Sequence, residues 1–118
     1  MGYEETVART REALAAQGFG ILTEIDVRAK LKEKLGVDFR PYIILGACNP
    51  QMAHRALGVE INLGVLLPCN VIVFADDDGR TVVRAMDPVG AMEAVGNPAV
   101  APVAQEVKNR LSRALESL

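Results

Sequence analysis

The spacing of apolar positions changes several times along the chain, and each change marks an element. Tyr3, Val7 and Leu14 recur at helical spacing, Ala8 and Ala15 widen the stripe, and Glu5 stands four residues before Arg9. This predicts a helix over residues 3–17, stopped by Gly18. The next stretch, FGILTEI (19–25), alternates. Phe19, Ile21, Thr23 and Ile25 fall on one face of a predicted strand, Leu22 and Glu24 on the other. Asp26 is a suitable N-cap for a second helix, in which Val27, Leu31 and Leu35 recur every four residues and Gly36 occupies the position after the end. YIILGA (42–47) is almost continuously apolar and of strand length, which predicts a strand buried on both faces.

Three Asx-Pro pairs, Asn49-Pro50, Asp87-Pro88 and Asn97-Pro98, punctuate the rest of the chain. An Asx side chain accepts hydrogen bonds from the first free amides of a helix, and proline at the first helical position sacrifices no internal bond. Each pair therefore predicts a helix start, for helices over 50–57, 88–95 and 98–117. The last carries Val103, Val107, Leu111, Ala114, Leu115 and Leu118 at three-to-four spacing. NVIVFAD, then Asp77-Asp78-Gly79, then RTVVRAM reads as a β-hairpin. In residues 58–68, Val59, Ile61 and Leu63 alternate with Glu60 and Asn62, which reads as a short extended piece. The predicted order is αβαβαββαα. A helix between strands 19–25 and 42–47 favours parallel pairing there, while the hairpin is antiparallel. The expectation is a single α+β domain over residues 1–118, a mixed four-stranded sheet packed with helices.

Composition narrows the function classes. Half of the 118 residues are hydrophobic, but aromatics are only two Tyr and three Phe, with no Trp. The core is therefore aliphatic, and stacking platforms for bases are lacking. The formal net charge is −2. The one basic cluster, Arg28, Lys30, Lys32 and Lys34, is offset by Asp26, Glu33 and Asp38 and reads as the solvated face of a helix, so no nucleic-acid partner is expected. No apolar run reaches the roughly 18–20 residues of a membrane span, and the start is polar and acidic. No membrane association is expected, and the cytoplasm is the expected compartment. Two cysteines in such a chain read as free thiols.

Each cysteine is followed by asparagine. If Asn49 caps a helix, Cys48 lies beside free amides and the positive helix end, which favours thiolate and makes the segment a candidate anion cradle. The competing reading is a small core residue at a strand end. Cys69, after Pro68 and with no helix behind it, reads as buried and inert. The 21-residue separation matches no zinc or redox spacing, so no metal is assigned. His54, the single histidine, falls toward solvent on its helix. Asp76, Asp77 and Asp78 form a turn rather than a calcium loop, which needs alternating ligands and a distant Glu. Arg40 reads either as an anion ligand or as a partner of Asp38. No nucleotide-binding, nucleophile-elbow or zinc-protease motif occurs, and no cofactor is implied.

The segments EIDV, FRPY, LGACNP and LLPCNV, in that order, resemble the domain-of-unknown-function 302 family of bacteria and archaea over nearly the whole chain. The resemblance implies a small single-domain α+β protein that forms dimers, and it brings no agreed activity. The family pattern includes Glu24, Asp26, Arg40, Cys48, Asn49, Pro50, Pro68, Cys69 and Asn70. The expected function is a dimeric binding module in which Cys48, Asn49, Cys69, Asn70 and Arg40 line a pocket for a small anionic or thiol-reactive ligand. The alternatives are a thiol-based enzyme or sulfur carrier using Cys48, and a structural or interaction protein with both cysteines in its core.

Overall fold

The computed structural model describes residues 1–118. The chain runs α1 (Tyr3–Ala16), β1 (Gly20–Asp26), α2 (Val27–Leu35), β2 (Tyr42–Cys48), α3 (Pro50–Val59), a 3-10 helix (Ile61–Leu66), β3 (Cys69–Ala75), β4 (Thr81–Ala85), α4 (Pro88–Glu93), a 3-10 turn (Pro98–Val100) and α5 (Ala101–Glu116). The class is α+β, as expected, and Asn49-Pro50 and Asp87-Pro88 start α-helices as predicted, while Asn97-Pro98 opens a 3-10 turn that leads into α5. Asn49 Oδ1 accepts from the Met52 amide, Asp87 from Val89 and Gly90, Asn97 from Ala99, and Asp26 from Ala29. Gly36 ends α2 in the left-handed region, at φ 68°.

The sheet is antiparallel throughout, in the order β1-β2-β3-β4. The expected parallel pairing of β1 with β2, and with it the mixed sheet, does not occur. A parallel crossover must lay its helix along a sheet face and bury one stripe of it. The nine residues of α2 span only about 13 Å and bury no side chain, and Leu35 is 69% exposed. The chain therefore turns back at the sheet end where it left.

The alternation of β1 is also shifted. A bulge between Ile21 and Thr23 puts Ile21 opposite Ala47 on the inner face, but Thr23 opposite Gly46 and Ile25 opposite Ile44 on the outer face. In α1 the buried stripe is Thr6, Thr10 and Leu14, while Ala8 and Ala15 are exposed. The threonines tolerate burial because their hydroxyls donate to the carbonyls four residues back, Thr6 to Gly2 at 2.8 Å and Thr10 to Thr6 at 2.7 Å. Residues 61–66 are 3-10 helical rather than extended. Glu60 accepts from the Asn62 amide at its start, Leu63 is buried and Leu66 packs against the core.

One layer of helices covers one face of the sheet. Leu45, Ala47, Cys69 and Val71, with Ile43 and Val83 beside them, meet Leu14 of α1, Met52 and Ala56 of α3, Met92 of α4, and Val103, Val107 and Leu111 of α5. The opposite face has no such layer. Tyr42, Ile44, Ile72, Phe74 and Val82 stand outside the core, half-buried among themselves. YIILGA is therefore not covered on both sides by its own chain, as its composition had predicted.

Candidate functional site

The antiparallel β2-β3 pair brings the two cysteines to one end of the sheet. Ala47 pairs with Cys69, so Cys48 lies one residue beyond. Cys48, Cys69 and Asn49 line one cavity with Phe19, Met52 and Leu67. Its volume is about 20 Å³, room for one water molecule. Asn49, 8% exposed, is committed to the cap of α3 through its bond to Met52 N at 3.2 Å.

The other two candidates lie elsewhere. Asn70 is exposed and occupies the outer row of the sheet, opposite Gly46. Arg40 precedes β2 at the far end, roughly 25 Å of extended strand from Cys48. It donates to the Ala75 carbonyl at 3.2 Å and pairs with Asp77 at 2.6 Å, not with Asp38, which Lys32 takes. The five residues expected in one pocket thus divide into a clustered trio, of which Cys69 and Asn49 are buried and Cys48 half-buried, an outer-face asparagine and a distant arginine.

The electrostatics at the cysteines favour thiols over thiolates. Burial pushes Cys48 above its ordinary value, with no charge or hydrogen bond pulling it back. Cys69, 5% exposed, is pushed up to about 11, by burial first and by the neighbouring Cys48 second. The lowering expected at Cys48 from the helix start is not seen, and the Met52 amide there is taken by the Asn49 cap. No base accompanies the sulfurs, since His54 points to solvent from α3. Glu24, on β1, is paired with Arg11.

Larger cavities lie away from the cysteines. One of about 310 Å³ sits where α4 turns into α5, between Val89, Met92, Val100 and Ala104, with Glu93 on its rim. Another, about 570 Å³, is an open hollow between the two chain ends and the β3-β4 hairpin.

The most distinctive surface is the outer sheet face, which the sequence reading missed. Register places Ile25, Ile44, Ile72 and Arg84 in one row across the four strands, and Tyr42, Phe74 and Val82 in the next. The rings of Tyr42 and Phe74 stack at 5.3 Å, and Phe39 tilts against Tyr42 at 6.1 Å. Ile25 is 45% exposed and Phe39 39%. The third row, Thr23, Gly46 and Asn70, is small and polar, and Pro68 closes over Gly46. The available signal was the apolar character of both parities in residues 42–47 and 71–75.

No helix of the chain is long and apolar enough to cross a membrane. A family model described as "Domain of unknown function DUF302" matches residues 1–118. Among solved structures, the crystal structure of an uncharacterized conserved DUF302 protein from Bacillus stearothermophilus is 36% identical, with a TM-score of 0.91, over 98% of this chain and 90% of that one. No curated protein matches the chain.

Proposed function

The chain belongs to the DUF302 family, which brings a fold but no activity, and we propose that it is a binding module whose working surface is the uncovered face of its sheet. One observation carries this reading: two adjacent rows of that face are aliphatic or aromatic over strands β2 and β3, and these side chains stand outside the helix-packed core, half-buried. A contiguous apolar patch of this kind marks an interaction surface. Scattered exposed residues such as Ile61 and Val65 have no comparable organisation.

The thiol-based readings have less support. A nucleophile or sulfur carrier needs an accessible thiolate, whereas burial raises both thiols above their ordinary value and encloses Cys69. A small ligand beside them would need far more room than one water occupies. The cysteines fit better as small apolar residues that close the upper end of the core.

Ile44→Asp and Ile72→Asp test the proposal. Since these side chains lie outside the helix-packed core and are only half-buried, both variants should fold, with native far-UV circular dichroism and a cooperative melt. Both should lose binding of the apolar dye ANS. Variants that unfold like core variants, or that fold and bind the dye as the parent does, refute the reading.

A further inference from the structure

We propose that the cavity at the α4-α5 elbow is a separate binding site for a small organic cation, an ammonium head carried on an apolar body. The cavity is built from α4, α5 and the turn between them, and its role does not depend on the reading of the sheet face.

Local structure holds this elbow in place. The six residues of α4 end at Glu93, and Gly96 then takes φ 72°, where a side chain would be strained. Asn97 ties the turn down on both sides. Its Oδ1 accepts from the Ala99 amide at 3.0 Å, and its Nδ2 donates to the Val59 carbonyl at 3.0 Å and to Glu60 Oε1 at 3.3 Å. The elbow is thereby fastened to the end of α3. The side chains around the hollow are mostly short: Val89 from α4, then Val100, Ala101 and Ala104, with Met92 as the remaining wall. They leave about 310 Å³, against about 20 Å³ beside the cysteines. That is the lower end of the usual range for small-molecule sites. At the roughly 30 Å³ a water molecule occupies in the liquid, it admits about ten water-sized groups.

Charge selects the head group. No lysine, arginine or histidine lines the cavity. Glu93 does, exposed on the rim, and its carboxylate has no ion pair within the chain. A second carboxylate, Glu60, stands behind Asn97 and is bonded only to neutral N–H groups, those of Asn97 and Asn62. The cations further along α5 are already taken, Lys108 by Asp87 and Arg110 by Glu106. The start of the following helix does not invite an anion either. Pro98 has no amide proton, the Ala99 amide is capped by Asn97, and the Val100 amide bonds the Asn97 carbonyl. The mouth therefore carries negative potential. A neutral ligand gains only apolar burial there, whereas an ammonium ion gains burial of its body and a counter-charge for its head.

NMR titration of the ¹⁵N-labelled chain with phenethylamine at neutral pH tests the site. Saturable shifts are expected at the amides of Val89, Gly96, Val100 and Ala104, with a Kd of about 1 mM. The neutral analogue 2-phenylethanol should bind about three- to fivefold more weakly, and 3-phenylpropionate more weakly still. Glu93→Gln should bring the amine down to the level of the alcohol. Ala101→Phe grows into the cavity from an exposed position and should abolish binding. Val89→Phe takes its place if the Ala101→Phe spectrum loses its native dispersion. Absence of saturable shifts at the elbow up to about 50 mM amine overturns the inference, as does amine binding that survives a folded cavity-filling variant. Amine affinity unchanged in Glu93→Gln, or matched by the carboxylate, overturns the choice of a cation.

Discussion

Gly46→Ala tests the packing at the upper end of the sheet. Gly46 sits in the middle of β2 and is buried, and its φ is not among the positive ones. Its requirement is therefore space, not backbone freedom. An added Cβ would overlap the Thr23 hydroxyl and stand 2.7 Å from Cγ of Pro68. Thr23 is an exposed edge residue and can swing its hydroxyl aside, but the Pro68 ring cannot rotate away. Overpacking of this kind costs about 1–3 kcal/mol, offset by about 0.4–1 kcal/mol because alanine restricts the unfolded chain. The net loss is about 1–2 kcal/mol. With an unfolding entropy of about 0.25 kcal/mol/K for a chain of this length, Tm should fall by about 4–8 °C. Urea titration and calorimetry measure both quantities. Adding Thr23→Ala should recover only a minor part, and adding Pro68→Ala the larger part, a coupling that a double-mutant cycle isolates. A Gly46→Ala variant as stable as the parent would refute the reasoning.

Three further outcomes follow from burial and capping. Leu63 is fully buried while Val65, two residues on, is 88% exposed; Leu63→Ala should cost about 2–5 kcal/mol in urea unfolding and Val65→Ala almost nothing. Cys69 ionises near 9.0 when unfolded and near 11 when folded, so the native state retains a proton that the unfolded state loses. That stabilisation is complete below pH 9 and disappears as pH rises through 11, a loss of about 2–3 kcal/mol; Cys69→Ala should flatten this alkaline slope, measured in a Tyr3→Phe background because burial also raises Tyr3. Asn49→Ala frees the Met52 amide and should cost about 1–2 kcal/mol by chemical denaturation, with Asn49→Ser recovering most of it.

The readable parts of the fold are those determined by neighbouring residues. Asn49-Pro50, Asp87-Pro88 and Asn97-Pro98 start helices because cap and proline act within one turn, and Asp76–Arg80 closes the hairpin through Asp76 Oδ1. Strand direction was not readable, because it depends on where α2 lies and no residue of α2 states that. The bulge at Leu22 was equally hidden: one unpaired residue moved Thr23 and Ile25 to the other face. The threonine stripe of α1 looked polar because its hydroxyls are satisfied only once the helix has formed. At the candidate site, the nearness of Cys48 and Cys69 across 21 residues depends on the β2-β3 register. The separation of Arg40 from them is simply the length of β2.

The missed surface was nevertheless written in the sequence, under a different interpretation. A strand covered on one side alternates apolar with polar residues, and one covered on both sides does not. Tyr42, Ile43, Ile44 and Leu45 do not alternate, and neither do Val71, Ile72, Val73 and Phe74. Burial on both faces was the reading these residues suggested, and the structure buries only one of them in the helix-packed core. The helices of the core all pack on one side, and α2 contributes no fully buried side chain. The polar residues of the outer face confirm the pattern by their position. Arg84 is on the edge strand β4, and Thr23, Gly46 and Asn70 share the row that Pro68 already closes. What remains apolar is the centre of the sheet, where a second layer would seat. On the proposed reading, side chains of this character, held in register on an antiparallel scaffold, would be covered by a layer that another molecule provides.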